Sequence, residues 1–152
     1  MKSVTIAAVV AIIAMLLFSC SGKRPSNLRV TDGAFAPCPS SPNCISSDAS
    51  DSGHQVAPFQ LAVAPRDAWL VALDLVSGLP RTHIVTETDD YLHAECRSAV
   101  FGFVDDLELH FRPTDGIIAV RSASRLGYSD IGVNRRRIED LRAALIGRGV
   151  VK

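Results

Sequence analysis

The sequence predicts an α+β domain, a two-layer sandwich in which two helices pack on one face of an antiparallel sheet. Four strands are predicted, with a fifth extended segment at the edge. Hydrophobic residues recur with helical spacing near residues 65–80 and 135–146, and with period two in four stretches between them. The order helix, four strands, helix is typical of this architecture. A chain of 152 residues is long enough for one domain with its own core.

Both predicted helices have recognisable ends. The first begins at Pro65, which suits an opening turn, and ends before Gly78 and Pro80. The second follows Asn134, a residue type that caps helices, and runs to about Ile146. The faces predicted to be buried are Trp69, Ala72, Leu73 and Val76 in the first helix and Ile138, Leu141 and Leu145 in the second.

The strands form two predicted hairpins. Their predicted ranges are 82–88, 91–97, 107–112 and 117–122. The first two flank Asp89-Asp90, and the last two flank Pro113-Thr-Asp-Gly116, where proline and glycine favour a tight turn. Residues 55–63 alternate weakly, but Pro58 restricts them to a sheet edge.

The N-terminus predicts export and lipidation. An apolar run from Val4 to Phe18 is too short for a spanning helix and suits a signal peptide. It leads into Leu17-Phe18-Ser19-Cys20, which resembles a bacterial lipobox. We therefore expect a signal peptide over 1–19, lipid such as palmitate on Cys20, a tether over 20–34 and one domain over 35–152. The alternative is a plain secretory signal, with Cys20 as a bystander.

The same segment indicates the membrane. Ser21 is not the aspartate that resembles an inner-membrane retention signal, so we expect the outer membrane, facing the periplasm, in a diderm cell. Several acyl chains on Cys20 would anchor the chain durably, at about 0.8 kcal/mol per buried methylene.

Charge is balanced overall but unevenly distributed. There are 16 basic and 16 acidic residues, yet residues 86–115 hold eight acids and two bases, and residues 121–152 hold eight bases and three acids. Such halves usually pair with each other, and export argues further against a nucleic-acid partner. We expect a monomer without a cofactor.

Three further cysteines have distinct expected roles. Cys38 and Cys44 enclose five residues and predict a local disulfide in an oxidising compartment. Two cysteines alone do not supply a metal site. Cys96 is expected to pack as a small apolar side chain inside a strand.

Alternation places charged residues on the outer face of the sheet. Pairing residue 97 with 108 sets Arg97 opposite Glu108 and Glu95 opposite His110, which avoids facing glutamates. A tight turn pairs 112 with 117 and hence Glu108 with Arg121. One interpretation is that this ladder of charges is merely a solvated face, and the alternative is that its arginines converge on an anionic ligand.

The candidate site is an arginine cluster. Arginines in the first turn of a helix oppose the helix dipole, and an anionic group nearby would offset this. The arginine fork suits phosphate or carboxylate, and Phe101 and Phe103 can form an apolar lip beside it. The expected anion ligands are Arg97, Arg121, Arg125, Arg135 and Arg136, supported by Asp105, Asp106, Glu108 and Asn134.

Alternatives remain open at this point. The arginines can instead neutralise internal acids in a structural or protein-interaction role. A hydrolase using Ser129 or the Asp105/Asp106 carboxylates is less favoured, since the spacing around Ser129 misses the nucleophile-elbow pattern by one residue. A metal site of His93, His110 and Glu95 is disfavoured because the register offsets the histidines.

Several motifs together resemble the domain-of-unknown-function 1499 family. They cover residues 37 to 145 and include Cys38-Pro-Ser-Ser-Pro-Asn-Cys44 and Phe101-Gly-Phe-Val-Asp-Asp106. The longest is Arg121-Ser-Ala-Ser-Arg-Leu-Gly-Tyr-Ser-Asp-Ile-Gly-Val-Asn-Arg-Arg-Arg137. The resemblance implies a small envelope-associated domain and brings no activity, substrate or catalytic residue.

Overall fold

The computed structural model describes residues 21–152, and the predicted signal peptide and Cys20 lie outside them. The described chain contains two helices, a six-stranded antiparallel sheet and a separate two-stranded hairpin. The predicted α+β class is confirmed. The predicted edge segment 55–63 contains one short strand, Phe59–Gln60, and the sheet gains a second, Cys44–Ser46, that the sequence did not predict. Both pair with the last long strand of the sheet.

Eight strands and two helices follow one another along the chain. The strands are β1 (Val30–Thr31), β2 (Ala34–Phe35), β3 (Cys44–Ser46), β4 (Phe59–Gln60), β5 (Thr82–Glu87), β6 (Tyr91–Arg97), β7 (Val104–Arg112) and β8 (Ile117–Ser124). The helices are α1 (Pro65–Ser77) and α2 (Val133–Gly147). A 3-10 turn, Pro113–Asp115, closes the β7–β8 hairpin.

The sheet order is β3-β8-β7-β6-β5, and β4 also pairs with β8. Residue 112 pairs with 117 and Glu108 with Arg121, as predicted. The predicted pairing of Arg97 with Glu108 is wrong, because Arg97 faces Val104 and Glu108 faces His93. Strand β7 begins three residues earlier than expected, which shortens the loop and moves the register by four residues.

The hydrophobic core lies between the sheet and the helices. Trp69 of α1 is fully buried and stacks on Phe111, with ring centroids 5.4 Å apart. Ile138, Leu141 and Leu145 of α2 are buried as predicted. Leu92, Leu107 and Leu109 and the other alternating apolar residues of β6–β8 cover the core from the sheet side.

The disulfide between Cys38 and Cys44 is confirmed. Cys44 begins β3, so the bridge holds the preceding loop against the sheet edge. Cys96 is a buried free thiol, and burial raises its pKa, which agrees with a packing role.

Candidate functional site

The sheet face opposite the helices carries a buried charged network. Its members come from the three central strands, and none is more than about a tenth exposed: His93, Glu95, Asp106, Glu108, His110 and Arg121. The interpretation as a solvated face is therefore wrong. Burying charges is costly unless each is paired and hydrogen-bonded, so the pairing decides what this face can do.

Arg125 lies at the centre of the network. Its Nε and Nη2 donate to the two oxygens of Asp106 at 2.8 and 2.6 Å, and Nη2 also donates to Glu95 at 2.7 Å. Burial alone would raise the pKa of both carboxyls. The hydrogen bonds from Arg125, with others from Arg24 and His93, outweigh burial and hold both pKa values below their usual range.

The segment before β1 takes part in the network, although it was expected to be a tether. The Arg24 guanidinium donates to Glu95 from 71 residues away, with its Nε 2.9 Å from the carboxylate. Gly22 packs against the chain after β8, where a Cβ would lie 2.9 Å from Cβ of Arg125 and 3.0 Å from Cγ of Leu126. Sequence reasoning missed Arg24 because nothing local marks so distant a partner.

Glu108 is fully buried between two donors. Nη1 of Arg121 and the hydroxyl of Tyr91 each donate to it at 2.7 Å. The effect of burial is larger than that of these two hydrogen bonds, so the pKa of the Glu108 carboxyl is raised. Nε of Arg121 is buried without a hydrogen-bond partner within the described chain. Arg121 is thus committed to an internal acid.

These pKa shifts predict the acid behaviour of the fold. The pKa values of Glu95 and Asp106 are lower in the folded protein than in the unfolded chain, where a carboxyl pKa is about 4. Their ionised forms therefore stabilise the fold above about pH 4, and this stability is lost as the pH falls through their folded-state pKa values. Glu108, whose pKa is raised, opposes this because its protonation favours the fold. Two groups act against one, so we expect the melting temperature to fall below about pH 4. Thermal unfolding at a series of pH values checks this, and a melting temperature that rises on acidification would show that Glu108 dominates.

A second polar cluster lies on the helix side of the sheet. Arg137 donates to Asp105 at 2.6 Å and to the Asn134 side chain at 2.7 Å. Asn134 is fully buried and does not cap the helix as predicted, since α2 already begins at Val133. The Asp130 carboxylate accepts the free N–H groups of Gly132 and Asn134 at 2.9 and 2.7 Å. An internal acid therefore occupies the helix N-terminus.

The structure separates the arginines that were expected to converge. Arg121 and Arg125 lie on the outer face of the sheet, while Arg135 and Arg136 project from α2 on the other side. Arg135 donates to the carbonyls of Gln55 and Gly53, and Arg136 donates to the carbonyl of Ile131. One anion cannot contact all five, because the sheet lies between Arg121 and Arg125 on one side and the two α2 arginines on the other. Arg97, the last residue of β6, lies at the end of the sheet, near Glu95 and in the lining of a pocket that also contains Arg136.

A different feature lies beside the α2 N-terminus. The β6–β7 loop and the β8–α2 loop enclose an apolar cleft of about 440 Å³. Several large side chains around it are exposed to solvent, notably Val100 (79%), Phe101 (66%) and Ile131 (84%). Phe103 also lines it, with its ring centroid 5.8 Å from that of Phe101. The predicted apolar lip is present, as part of a wider cleft.

A basic pocket adjoins this apolar cleft. It has a volume of about 340 Å³, and the two cavities share Ser98 and Val133 in their linings. Its charged lining residues are Arg81, Arg97, Arg136, Arg137 and Asp140. Arg97 is half exposed, and its nearest carboxylate, Glu95, lies 3.6 Å away. Arg81 is a site residue that the sequence did not suggest, since it lies at a strand end with an ordinary polar pattern.

The hydrolase and metal alternatives gain no geometric support. Ser129 and Asp105 both line the apolar cleft, but the Ser129 hydroxyl accepts the N–H of Ile131 and Asp105 is held by Arg137. His93 is bonded to Asp106, and His110 to Arg112. Within residues 21–152, no three His, Cys, Asp or Glu side chains are grouped to hold a metal ion.

Comparisons place this architecture in a family. No curated protein and no solved structure matches the chain. None of the helices in residues 21–152 is long and apolar enough to cross a membrane. The profile of the family described as "Protein of unknown function (DUF1499)" matches residues 34–145, which include all the long strands and most of α2. The chain belongs to the DUF1499 family of proteins of unknown function.

Proposed function

We propose that this chain is an envelope lipoprotein, anchored through Cys20, that acts as a non-enzymatic binding module for an anionic amphiphile. The apolar cleft receives the hydrocarbon part of the ligand, and the adjoining basic pocket receives its phosphate or carboxylate. In a diderm cell the domain faces the periplasm from the outer membrane.

The observation that carries the proposal is the adjacency of the two cavities. A ligand pocket is typically an apolar cavity with a few convergent polar groups, and here the polar groups are arginines at its rim. Arginine binds phosphate and carboxylate through parallel hydrogen bonds, which suits an anionic head group.

The anion ligands in this proposal differ from those expected from sequence. Arg97 and Arg136 are kept, and Arg81 joins them. Arg121 and Arg125 are assigned a structural role because they are bonded to internal acids. Arg135 is left out because it lines neither cavity and donates instead to the carbonyls of Gln55 and Gly53.

Native mass spectrometry of the full chain, purified from membranes in mild detergent, tests the proposal. We expect a covalent lipid mass that Cys20→Ala removes, and one retained anionic amphiphile. The double variant Arg97→Gln/Arg136→Gln should reduce the retained ligand about tenfold or more, since a hydrogen bond to a charged group contributes about 1.5–3 kcal/mol. Phe101→Ser should weaken retention independently.

The matched control is Arg148→Gln. It removes one arginine charge, against two in the double variant, from an exposed position about 18 Å along α2 from Arg136, and it should leave retention unchanged. Equal retention in all these variants would contradict the proposed site.

A structural or protein-interaction role is the second candidate. The internal pairing of Arg121, Arg125 and Arg137 favours it, because these arginines then serve the fold alone. Wild-type protein that retains no small molecule would support this candidate over the first.

A further inference from the structure

We infer that the apolar cleft and basic pocket bind the surface of the membrane in which the chain is anchored, so that the domain lies on its own bilayer in one orientation. This inference rests on the proposed lipidation and binding function. It adds that the partner is the membrane surface and that the domain lies on it in one orientation.

The first support is the exposed apolar rim formed by the two loops of the cleft. Val100 and Phe101 come from the loop 98–103, and Tyr128 (77% exposed) and Ile131 come from the loop 126–132. Contiguous exposed apolar side chains of this kind mark interaction or membrane sites. Aromatic and aliphatic side chains on two neighbouring loops can enter the head-group region together.

The second support is charge next to that rim. Arg81, Arg97, Arg136 and Arg137 line the basic pocket. The acids near them are Asp140 in the pocket, Asp105 and Asp130 in the cleft, and Glu95, which lies 3.6 Å from Arg97 and is also bonded to Arg24 and Arg125. Asp105 is neutralised by Arg137, and Asp130 accepts two helix N–H groups. The arginines therefore leave an excess of positive charge, which complements anionic head groups at the level where apolar residues enter.

The third support is the path of the chain from the anchor. Gly22 packs on Leu126, and Leu126 lines the apolar cleft. Cys20 is two residues before Gly22, and two residues span at most about 7 Å. The segment that follows the proposed lipid-bearing residue is thus attached at the edge of the cleft through Gly22, while Arg24 is bonded to Glu95 on the sheet. An acylated Cys20 brings this end of the domain, rather than the far end of α2, to the bilayer.

The test measures membrane contact directly. Full-length lipidated Phe101→Trp is reconstituted in phosphatidylethanolamine/phosphatidylglycerol vesicles whose acyl chains are brominated near the head groups. The added indole should show blue-shifted emission and lose most of its intensity to bromine, because an interfacial apolar face lies about 5–10 Å deep. Trp69 is fully buried and supplies a constant background.

The matched control is Ile146→Trp. Ile146 is exposed (49%) and lies about 20 Å along α2 from Val133, so its indole should stay red-shifted and unquenched. In the Arg97→Gln/Arg136→Gln background, or in phosphatidylcholine vesicles, quenching of the indole at position 101 should decrease severalfold.

Each result decides between the alternatives. Equal quenching at both positions, or none at position 101, overturns the inference. If position 101 is unquenched while native mass spectrometry still finds a retained amphiphile, the proposed function stands and only the membrane orientation fails. A blue shift at position 101 that depends on protein density in the vesicle, without quenching, would assign the rim to a second copy of the chain and also overturn the inference.

Discussion

Replacing Arg125 with methionine is expected to lower the free energy of unfolding by about 3–5 kcal/mol, the usual loss when one partner of a buried ion pair is removed. The Arg125 side chain is only 5% exposed and bonds to both Asp106 and Glu95. Methionine fills similar space but leaves two buried carboxylates without their main donor. Thermal or urea unfolding of the lipidated chain in detergent measures the effect.

The pH dependence of this loss identifies its cause. In the wild type the pKa values of Glu95 and Asp106 are lowered, so both carboxyls are ionised at neutral pH. Without Arg125, burial raises both pKa values, and protonation relieves the unpaired charges. The stability difference between variant and wild type should therefore shrink as the pH falls from 7 towards about 4.

Arg97→Met serves as the control. Arg97 is half exposed and only 3.6 Å from Glu95, so its loss should cost no more than about 1 kcal/mol. If Arg125→Met instead leaves the melting temperature unchanged and abolishes retention of an amphiphile, Arg125 is a ligand-binding residue as the sequence suggested, and the structural assignment is wrong.

Two features of the sheet were predicted correctly because they depend on local sequence: the direction of its side chains and the register of its β7–β8 hairpin. Period-two alternation correctly placed Leu92, Leu107 and Leu109 on the core side, because side-chain direction is a local property of a strand. The Pro113–Gly116 turn set the β7–β8 register correctly for the same reason, since a tight turn fixes the pairing of its flanking strands.

The β6–β7 register was harder because a longer loop joins the strands. Charge pairing between directly opposed residues favoured the pairing of Arg97 with Glu108, which is not the register of the structure. In the structure Glu95 faces Asp106, and this pairing of two acids is stable because Arg125, from beyond β8, bonds to both. A cation contributed from outside a strand pair cannot be deduced from that pair.

The candidate site was also predicted only in part, because some of its residues come from distant parts of the chain. The apolar lip and two arginines of the basic pocket, Arg97 and Arg136, were predicted from local sequence. Arg81 was not, because only the fold brings it into the pocket. The face assignment of Arg121 was correct, but its burial was not predicted. Segments from elsewhere pack against this face of the sheet, such as the β1–β2 hairpin, whose Phe35 ring contacts His110 edge-on. Alternation gives the direction of a side chain and does not determine whether that face is covered.

The second large effect is expected at Asn134, where Asn134→Ala should destabilise the domain by at least about 3 kcal/mol. The buried side chain accepts from the Ser122 hydroxyl and Arg137, and donates to the Asn43 carbonyl and the Ser124 hydroxyl. Alanine leaves these partners without their hydrogen bonds to residue 134, and each buried group left unsatisfied costs about 1–3 kcal/mol. Unfolding followed by near-ultraviolet circular dichroism measures the loss.

Asn134 also connects the first and the last of the motifs named above, since its side chain donates to the carbonyl of Asn43 in the Cys38–Cys44 motif. Asn43, beside the disulfide, donates to the Gly127 carbonyl at 2.6 Å in the loop that borders the apolar cleft. Loss of Asn134 should therefore loosen the β8–α2 loop at the edge of the cleft, and amide exchange at Gly127 and Ile131 should accelerate together with the fall in stability.

Two further variants separate hydrogen bonding from packing. Asn134→Asp keeps the shape and the acceptors but turns a donor into an acceptor facing the Asn43 carbonyl, so it should also destabilise. Ser124→Ala removes one partner, and a double-mutant cycle with Asn134→Ala should give a coupling of about 0.5–3 kcal/mol. Asn27→Ala, at an exposed position, should be neutral. If Asn134→Ala is as mild as Asn27→Ala, the hydrogen bonds at Asn134 do not hold α2 to the sheet, and packing of Ile138, Leu141 and Leu145 alone is sufficient.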